Sequence, residues 1–144
     1  MQPDKTDWQI IELLAQKHIP NNQIAKQLEI SEGTVRRRIK ALQDSGVMKV
    51  KALLDPDVLK NQQLAIIMAS VTETKLLKKK AVEISKLKNV SAVSIISGQY
   101  DLLIEVLVDS NKGMVTFITE TLSTVQGLSK TETYMILKSF GKFI

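Results

Sequence analysis

A cluster of cationic side chains is the strongest chemical signal in this sequence. Val35, Ile39 and Leu42 recur at spacings of four and three, which predicts a helix with one apolar face. The other faces carry long cationic side chains that can pair with guanine edges or phosphates when a helix lies in the major groove of DNA. Gly33 lacks a side chain and would allow close approach to the duplex backbone. The predicted DNA-binding residues are Ser31, Gly33, Thr34, Arg36, Arg37, Arg38 and Lys40.

A competing interpretation is that these charges only solvate a surface helix. The preceding residues favour DNA binding, because a short helix carrying the small residue Ala25 leads into a tight turn with the apolar residue Ile30. A small residue in the first helix and an apolar residue in the turn are typical of a helix-turn-helix. Glu29 stands where such turns commonly carry Gly, so we expect either some strain there or a looser turn.

A second candidate site is the segment Gly98, Gln99, Tyr100 and Asp101, which should connect two strands tightly. It offers backbone amides for a carboxylate, Asp101 for an ammonium group and the Tyr100 ring as a wall. The simpler interpretation is that Gly98 forms a turn and Asp101 caps it. Alternation along the last strand would place further hydroxyls on one face, those of Thr131 and Thr133.

The pattern of potential catalytic residues does not indicate an enzyme. The single histidine, His18, should cap the end of the first helix. The sequence has no cysteine, which excludes disulfides, thiolate metal sites and a cysteine nucleophile. No Ser–His pair, phosphate-binding glycine loop or metal-ligand spacing is visible. We therefore expect no catalysis, no cofactor and no metal.

Three short helices should position the cationic residues in an N-terminal domain, residues 1–46. Asp4 should cap the first helix, Ser31 should cap the third, and Gly46 should end it. Pro20 should stop the first helical run, and the pair Asn21 and Asn22 should cap the second helix.

Residues 47–62 are predicted as a hinge strand and linker, with a strand from 47 to 54. Residues 63–144 then predict strands at 64–73, 90–97, 100–108 and 131–140, and helices at 75–88 and 110–124. The helix at 110–124 should bury Met114, Ile118 and Leu122. This order is that of a ferredoxin-like βαββαβ sandwich, so the fold class is α+β with a (winged) helix-turn-helix domain. The strands carry apolar residues of both parities, which predicts that another subunit covers the sheet face without helices.

The composition of the 144 residues indicates where the protein is located in the cell. The formal net charge is +5 and 44% of residues are hydrophobic, as in an ordinary soluble protein. The longest apolar run, residues 64–69, is too short to span a membrane, and the first residues lack a signal-peptide pattern. We expect a cytoplasmic protein.

Taken in order, these motifs resemble the Lrp/AsnC (feast/famine) family of transcriptional regulators. The resemblance covers nearly the whole chain, through the segments 4–11, 24–31, 35–47, 53–59, 98–101 and 131–134. It implies an N-terminal DNA-binding domain and a C-terminal domain that dimerises and senses small molecules. It further implies an amino-acid effector near residues 98–101 and assembly from homodimers to tetramers or octamers.

Two alternatives share parts of this architecture. Sirohaem decarboxylases resemble Lrp-type proteins in fold, but their proposed chemistry relies on histidines near the tetrapyrrole, and this chain has one His in its DNA-binding half. The other alternative is an architectural protein that coats DNA with little sequence preference and has no effector.

Overall fold

A computed structural model describes residues 2–144 and divides the chain into two compact units. The first unit ends at Ala52 and contains three helices; the second runs from Leu53 to Ile144 and contains a four-stranded sheet with helices. The predicted α+β class is confirmed. Within residues 2–144 no helix combines the length and the apolar character that crossing a bilayer requires.

The first helix, α1 (Lys5–Gln16), begins as the sequence predicts. The Asp4 carboxylate accepts a hydrogen bond from the Asp7 amide at 2.8 Å, and the Asp7 carboxylate accepts one from the Asp4 amide at 3.0 Å. This reciprocal pair satisfies two amides at the helix start that have no intrahelical partner. The helix ends before Lys17, so His18 lies beyond its C-cap and does not cap it as expected.

The next two helices, α2 (Asn21–Leu28) and α3 (Glu32–Asp44), are joined by a turn of three residues. Glu29 in this turn adopts the left-handed conformation, with φ 54° and ψ 39°, and so takes the role that Gly commonly fills. The second helix starts at Asn21 after Pro20 and has no side-chain cap, contrary to expectation. The unit's main buried cluster contains Ile10, Ile19, Ile24, Ala25 and Val35, and Leu42 is fully buried as well.

The strand predicted at 47–54 does not form. After α3, the amides of Val47 and Met48 both donate to the Leu42 carbonyl, at 3.1 and 3.2 Å. Only Leu54 makes strand-like bonds, two with Ile144 at 2.9 and 3.0 Å. A β-strand needs a ladder of partners, and a single paired residue does not supply one. Asp55 is the N-cap of a short 3₁₀ turn, Pro56–Val58, and its side chain accepts a hydrogen bond from the Asp57 amide.

The second unit follows the predicted βαββαβ order. Its sheet has the strand order β2–β3–β1–β4, with antiparallel pairing throughout. The strands are β1 (Gln62–Val71), β2 (Val90–Ile95), β3 (Leu102–Asp109) and β4 (Leu128–Met135). The helices are α4 (Leu77–Ser85) and α5 (Gly113–Thr116), and α5 continues through a π-helical turn (Phe117–Thr121) and a 3₁₀ turn (Leu122–Thr124).

One sheet face packs against these helices and forms the main core. Ile67 on β1 and Ile104 on β3 are fully buried with Ile84, Phe117 and Leu122 from the helical layer. The π-helical turn places Phe117 and Leu122, five residues apart, on the buried side. Ile118, which the sequence predicts to be buried, is instead 37% exposed. That prediction is wrong because it assumes an unbroken α-helical period.

Within residues 2–144, no helical layer covers the opposite sheet face. Strand alternation places Ile66 and Met68 on this face, with Leu103 and Leu107 of β3 beside them, and all four are half-buried. Lys142 from the C-terminal segment pairs with Glu105 on the same face, at 2.6 Å. We call this surface the open face.

Candidate nucleic-acid interface and ligand site

The apolar stripe of α3 determines which of its side chains face outward. Val35 and Leu42 are fully buried and Ile39 is partly buried. Consequently Arg37 and Lys40, on the opposite side of the helix, are exposed. Of the seven predicted DNA-binding residues, five are exposed and only Thr34 and Arg38 are half-buried.

The exposed cationic side chains of α3 form weak ion pairs or none. Arg36 pairs with Glu32 and Lys40 with Asp44, each at 2.8 Å and each between exposed side chains one helical turn apart. The Asp44 carboxylate raises the pKa of Lys40, which keeps that ammonium protonated. Arg37 forms no ion pair with any residue in the described range 2–144. Exposed pairs of this kind contribute little stability, so a phosphate can displace the carboxylates.

Arg38 is bound differently from its neighbours. Its Nη1 atom donates to the Asp4 carboxylate at 2.7 Å and to the buried Asp7 carboxylate at 2.8 Å. The Asp7 amide, and next Arg38, hold the pKa of Asp4 below its usual range; the carboxylates in turn raise the pKa of Arg38. Arg38 therefore joins the start of α1 to the middle of α3, with its guanidinium group already occupied.

The start of α3 is organised by two hydroxyl groups. The Ser31 side chain accepts from the Thr34 amide at 3.1 Å, and the two hydroxyls lie 2.9 Å apart. The predicted Ser31 cap is thus confirmed. A Cβ placed on Gly33 would meet only the Ser31 hydroxyl, at 3.9 Å. Packing within the first unit therefore does not require glycine at position 33.

The predicted ligand-binding turn lies between β2 and β3. Asp101 accepts from the Val71 amide at 2.9 Å through its carboxylate, and its own amide donates to the Ala69 carbonyl at 3.0 Å. These bonds fix the turn against the end of β1. Gly98 has φ 140°, in the region that favours glycine, and is exposed.

The Tyr100 side chain leads to a polar cluster that sequence reasoning missed. Tyr100 is buried and its hydroxyl donates to the Glu132 carboxylate, while Lys130 Nζ lies 4.9 Å from the ring centroid. Hydrogen bonds from Tyr100 first, and then from Tyr134, lower the pKa of Glu132. Glu132 in turn raises the pKa of Tyr134. We call Tyr100, Lys130, Glu132 and Tyr134 the tyrosine–glutamate cluster.

The predicted threonines lie on the other side of the sheet. Thr131 pairs with Ala69 and Thr133 with Ile67, both on the helix-covered face, whereas Glu132 pairs with Met68 on the open face. The structure therefore brings Tyr100 together with Glu132, and not with Thr131 or Thr133. The alternation of β4 could have identified Lys130, Glu132 and Tyr134 as a second set of candidates from the sequence.

Comparison with known proteins agrees with both units. Residues 64–142 match the family model described as the Lrp/AsnC ligand binding domain, and residues 3–48 match a winged helix-turn-helix DNA-binding model. An HTH-type transcriptional regulator of Pyrococcus horikoshii is 30% identical over 139 residues, covering 96% of this chain and 93% of that protein. The HTH-type transcriptional regulator LysM of Saccharolobus solfataricus is 28% identical over 138 residues, covering 95% of each chain.

A solved structure shares the fold over almost the full length. It is a transcriptional regulator of Neisseria meningitidis in complex with L-Met, with a TM-score of 0.69, 24% identity, and coverage of 98% of this chain and 94% of that one. The family model spans more than half of this chain, and the two relatives cover 96% and 95% of it. The chain therefore belongs to the Lrp/AsnC family of transcriptional regulators.

Proposed function

We propose that this regulator binds specific DNA sites by inserting α3 into the major groove and that a free amino acid bound to its second unit modulates that binding. The observation that carries the proposal is the exposed cationic face of α3, opposite a buried aliphatic stripe. The residues assigned to contact DNA are Ser31, Gly33, Thr34, Arg36, Arg37 and Lys40. Arg38 is assigned a positioning role, because Asp4 and Asp7 already bind its guanidinium group.

The energetics of the ion pairs support this division of roles. Arg36 and Lys40 lose only exposed carboxylate partners when they turn to phosphate, and Arg37 has no ionic partner to lose within residues 2–144. Each phosphate that they neutralise releases condensed counterions, which favours binding at low salt. Moving Arg38 to DNA would instead leave the buried Asp7 carboxylate without its cation, which is costly.

The proposed effector site is centred on the turn 98–101 and the tyrosine–glutamate cluster. The exposed amides of Gly98 and Gln99 suit a carboxylate, and Glu132 together with the second oxygen of Asp101 suits an ammonium group. Tyr100 forms the wall between them. Thr131 and Thr133 face the other side of the sheet, so Glu132 and Lys130 replace them in the proposal. The L-Met bound to the Neisseria relative supports an amino acid as the ligand class.

A homodimer is the proposed working unit, with further assembly to tetramers or octamers. The open face supports it, because half-buried Ile66, Met68, Leu103 and Leu107 are suited to contact a second copy. Two recognition helices would then read a nearly two-fold symmetric operator. A cytoplasmic location is proposed for a regulator that binds DNA.

A gel-shift assay on the region upstream of the protein's own gene tests the function. We expect a discrete shifted band that survives competitor DNA, and a change in its midpoint with one or more of the free amino acids. Light scattering on the same samples measures the assembly. Binding no tighter than to random duplex, with or without amino acids, would contradict a sequence-specific regulator.

A further inference from the structure

We infer that α4 forms a second surface for the phosphate backbone of duplex DNA, separate from the recognition helix α3. The second unit carries a small net charge, but its charges are distributed unevenly. The segment 73–88, which contains α4, has six lysines and two glutamates, a net charge of +4. The rest of residues 53–144 has five lysines and seven acidic residues, a net charge of −2. We call residues 73–88 the lysine segment.

Most of the lysines in this segment are exposed and without an acidic partner. Lys75 pairs with Glu73 and the half-buried Lys80 pairs with Glu83, each at 2.8 Å. The other four are exposed and form no ion pair within residues 2–144; they are Lys78, Lys79, Lys86 and Lys88. Since the two local carboxylates are already engaged, the outer surface of α4 presents uncompensated positive charge.

Helix geometry arranges two of these lysines in a row. Ile84 of α4 is fully buried and Leu77 packs against the same core. Lys79 and Lys86 lie on the opposite side, two turns apart, because Lys86 still has helical backbone angles. Seven residues of helix rise about 10.5 Å. That distance is close to the rise of three nucleotides along one DNA strand, about 10 Å.

A polyanion fits this surface better than a discrete small ligand. The lysines lie on an exposed helix surface, so each ammonium group can contact a separate phosphate. Duplex DNA is the polyanion that the first unit already suits.

The test compares salt dependence on two random-sequence duplexes, of about two and about six helical turns. Random sequence is used because phosphate contacts carry no sequence information. The binding constant K falls as salt rises, so a plot of log K against log[salt] has a negative slope. In the variant Lys79→Gln/Lys86→Gln this slope should be less steep by about 1.8 on the long duplex, since each lost phosphate contact contributes about 0.9. On the short duplex, which α3 is expected to occupy, the slope should stay unchanged.

Two control variants make the result specific. Lys60→Gln/Lys138→Gln removes the same charge from the second unit outside the lysine segment and should leave the slope on the long duplex unchanged. Lys79→Arg/Lys86→Arg keeps the charge and should retain the wild-type slope. Equal losses in both Gln variants would show a net-charge effect and overturn the proposal. No loss in Lys79→Gln/Lys86→Gln would also overturn it, and would leave an acidic protein as the partner for these lysines.

The outcome separates this inference from the proposed function. If the Arg37→Ala/Lys40→Ala variant binds the short duplex like the wild type, the role of α3 fails. The loss in Lys79→Gln/Lys86→Gln on the long duplex would still support α4 in that case. If short-duplex binding depends on Arg37 and Lys40 while Lys79→Gln/Lys86→Gln has the wild-type slope on the long duplex, the role of α3 stands and α4 does not bind DNA.

Discussion

Arg37 and Arg38 are adjacent and chemically identical, but they differ in the carboxylates around them and therefore in their roles. Arg38 points toward α1, where Asp4 and the buried Asp7 receive its guanidinium group at 2.7 and 2.8 Å. Arg37 points 100° further around the helix, away from any carboxylate that could bind it in the described range 2–144. The cation that stabilises the unit and the cation available to DNA are therefore distinguishable by mutation.

Replacing Arg37 and Lys40 together by Ala should abolish specific DNA binding without unfolding the protein. Both side chains are exposed, and only an exposed ion pair with Asp44 is lost. Loss of two phosphate contacts should reduce the salt slope by about 1.8. Gel shifts at several salt concentrations measure this, and Trp8, the only tryptophan of the chain, reports the folding of the first unit by fluorescence. Unchanged affinity at moderate salt would contradict the assignment.

Replacing Arg38 by Ala should destabilise the first unit by about 1–3 kcal/mol, because the buried Asp7 carboxylate loses a charged hydrogen-bond partner. Thermal unfolding followed by Trp8 fluorescence measures the loss. The effect should depend on pH in a defined direction. Because the pKa of Asp4 is lowered in the folded state, its stabilising contribution is present above the usual Asp range and is lost as pH falls through the lowered pKa.

The control for this prediction is Asp4→Asn, which should flatten the acid side of the stability profile. If Arg38→Ala instead leaves the melting temperature unchanged and weakens DNA binding as much as the Arg37 variant, Arg38 contacts DNA after all.

Gly33→Ala should separate stability from binding. The added Cβ would meet only the Ser31 hydroxyl, at 3.9 Å, and Ala favours the helical state by about 1 kcal/mol relative to Gly. The first unit should therefore melt at a higher temperature. DNA affinity should fall if the duplex backbone approaches this point of the helix. Equal or tighter binding by the stabilised variant would move the interface away from the start of α3.

At the scale of elements, the turn between α2 and α3 contains a residue that is poorly suited to it. Glu29 adopts φ 54° and ψ 39°, and a side chain other than Gly in this conformation costs about 1–2 kcal/mol. We expect Glu29→Gly to raise the stability of the first unit by about 1 kcal/mol. Gln27→Gly, in the right-handed and exposed part of α2, is the matched control and should lower stability by about 1 kcal/mol. Melting curves with Trp8 fluorescence distinguish the two signs.

Elements specified by local interactions could be predicted from the sequence, and those that depend on distant partners could not. The caps at Asp4 and Ser31 and the C-terminal Gly46 follow from chemistry within a few residues, and all three are present. The prediction of a strand at 47–54 is wrong because a strand needs a partner strand, and the periodicity of a segment does not show whether it has one. The burial of Ile118 was predicted wrongly because no residue pattern near it indicates a π-helical turn.

The candidate ligand site shows the same limit. The turn at 98–101 was identifiable from its residue types, and Asp101 indeed fixes it through the Val71 amide. Which face of β4 accompanies that turn depends on the register of β4 against β1, which places Glu132 opposite Met68. A one-residue difference in register exchanges the two faces, so Thr133 and Glu132 could not be ranked from the sequence.

At the scale of the whole molecule, an effector can change DNA affinity only if its site and the DNA site are energetically coupled. Such coupling is typically worth about 1–3 kcal/mol, or roughly 5–150-fold in affinity. Glu132 is a suitable residue for testing it, because it is exposed and its carboxylate accepts a hydrogen bond from the Tyr100 hydroxyl. Asp101 is less suitable, since its carboxylate also holds the Val71 amide.

Replacing Glu132 by Gln should therefore remove most of the response to amino acids while leaving DNA binding without effector intact. The amide keeps the shape of the side chain and can still accept a hydrogen bond from Tyr100, but it cannot neutralise a ligand's ammonium group. Gel shifts with increasing amino acid measure the response. Asp101→Ala is the contrasting variant: it should weaken the response and also lower the melting temperature, because the Val71 amide loses its partner. If Glu132→Gln responds like the wild type while Asp101→Ala loses only stability, neither carboxylate binds the effector, and the tyrosine–glutamate cluster is purely structural.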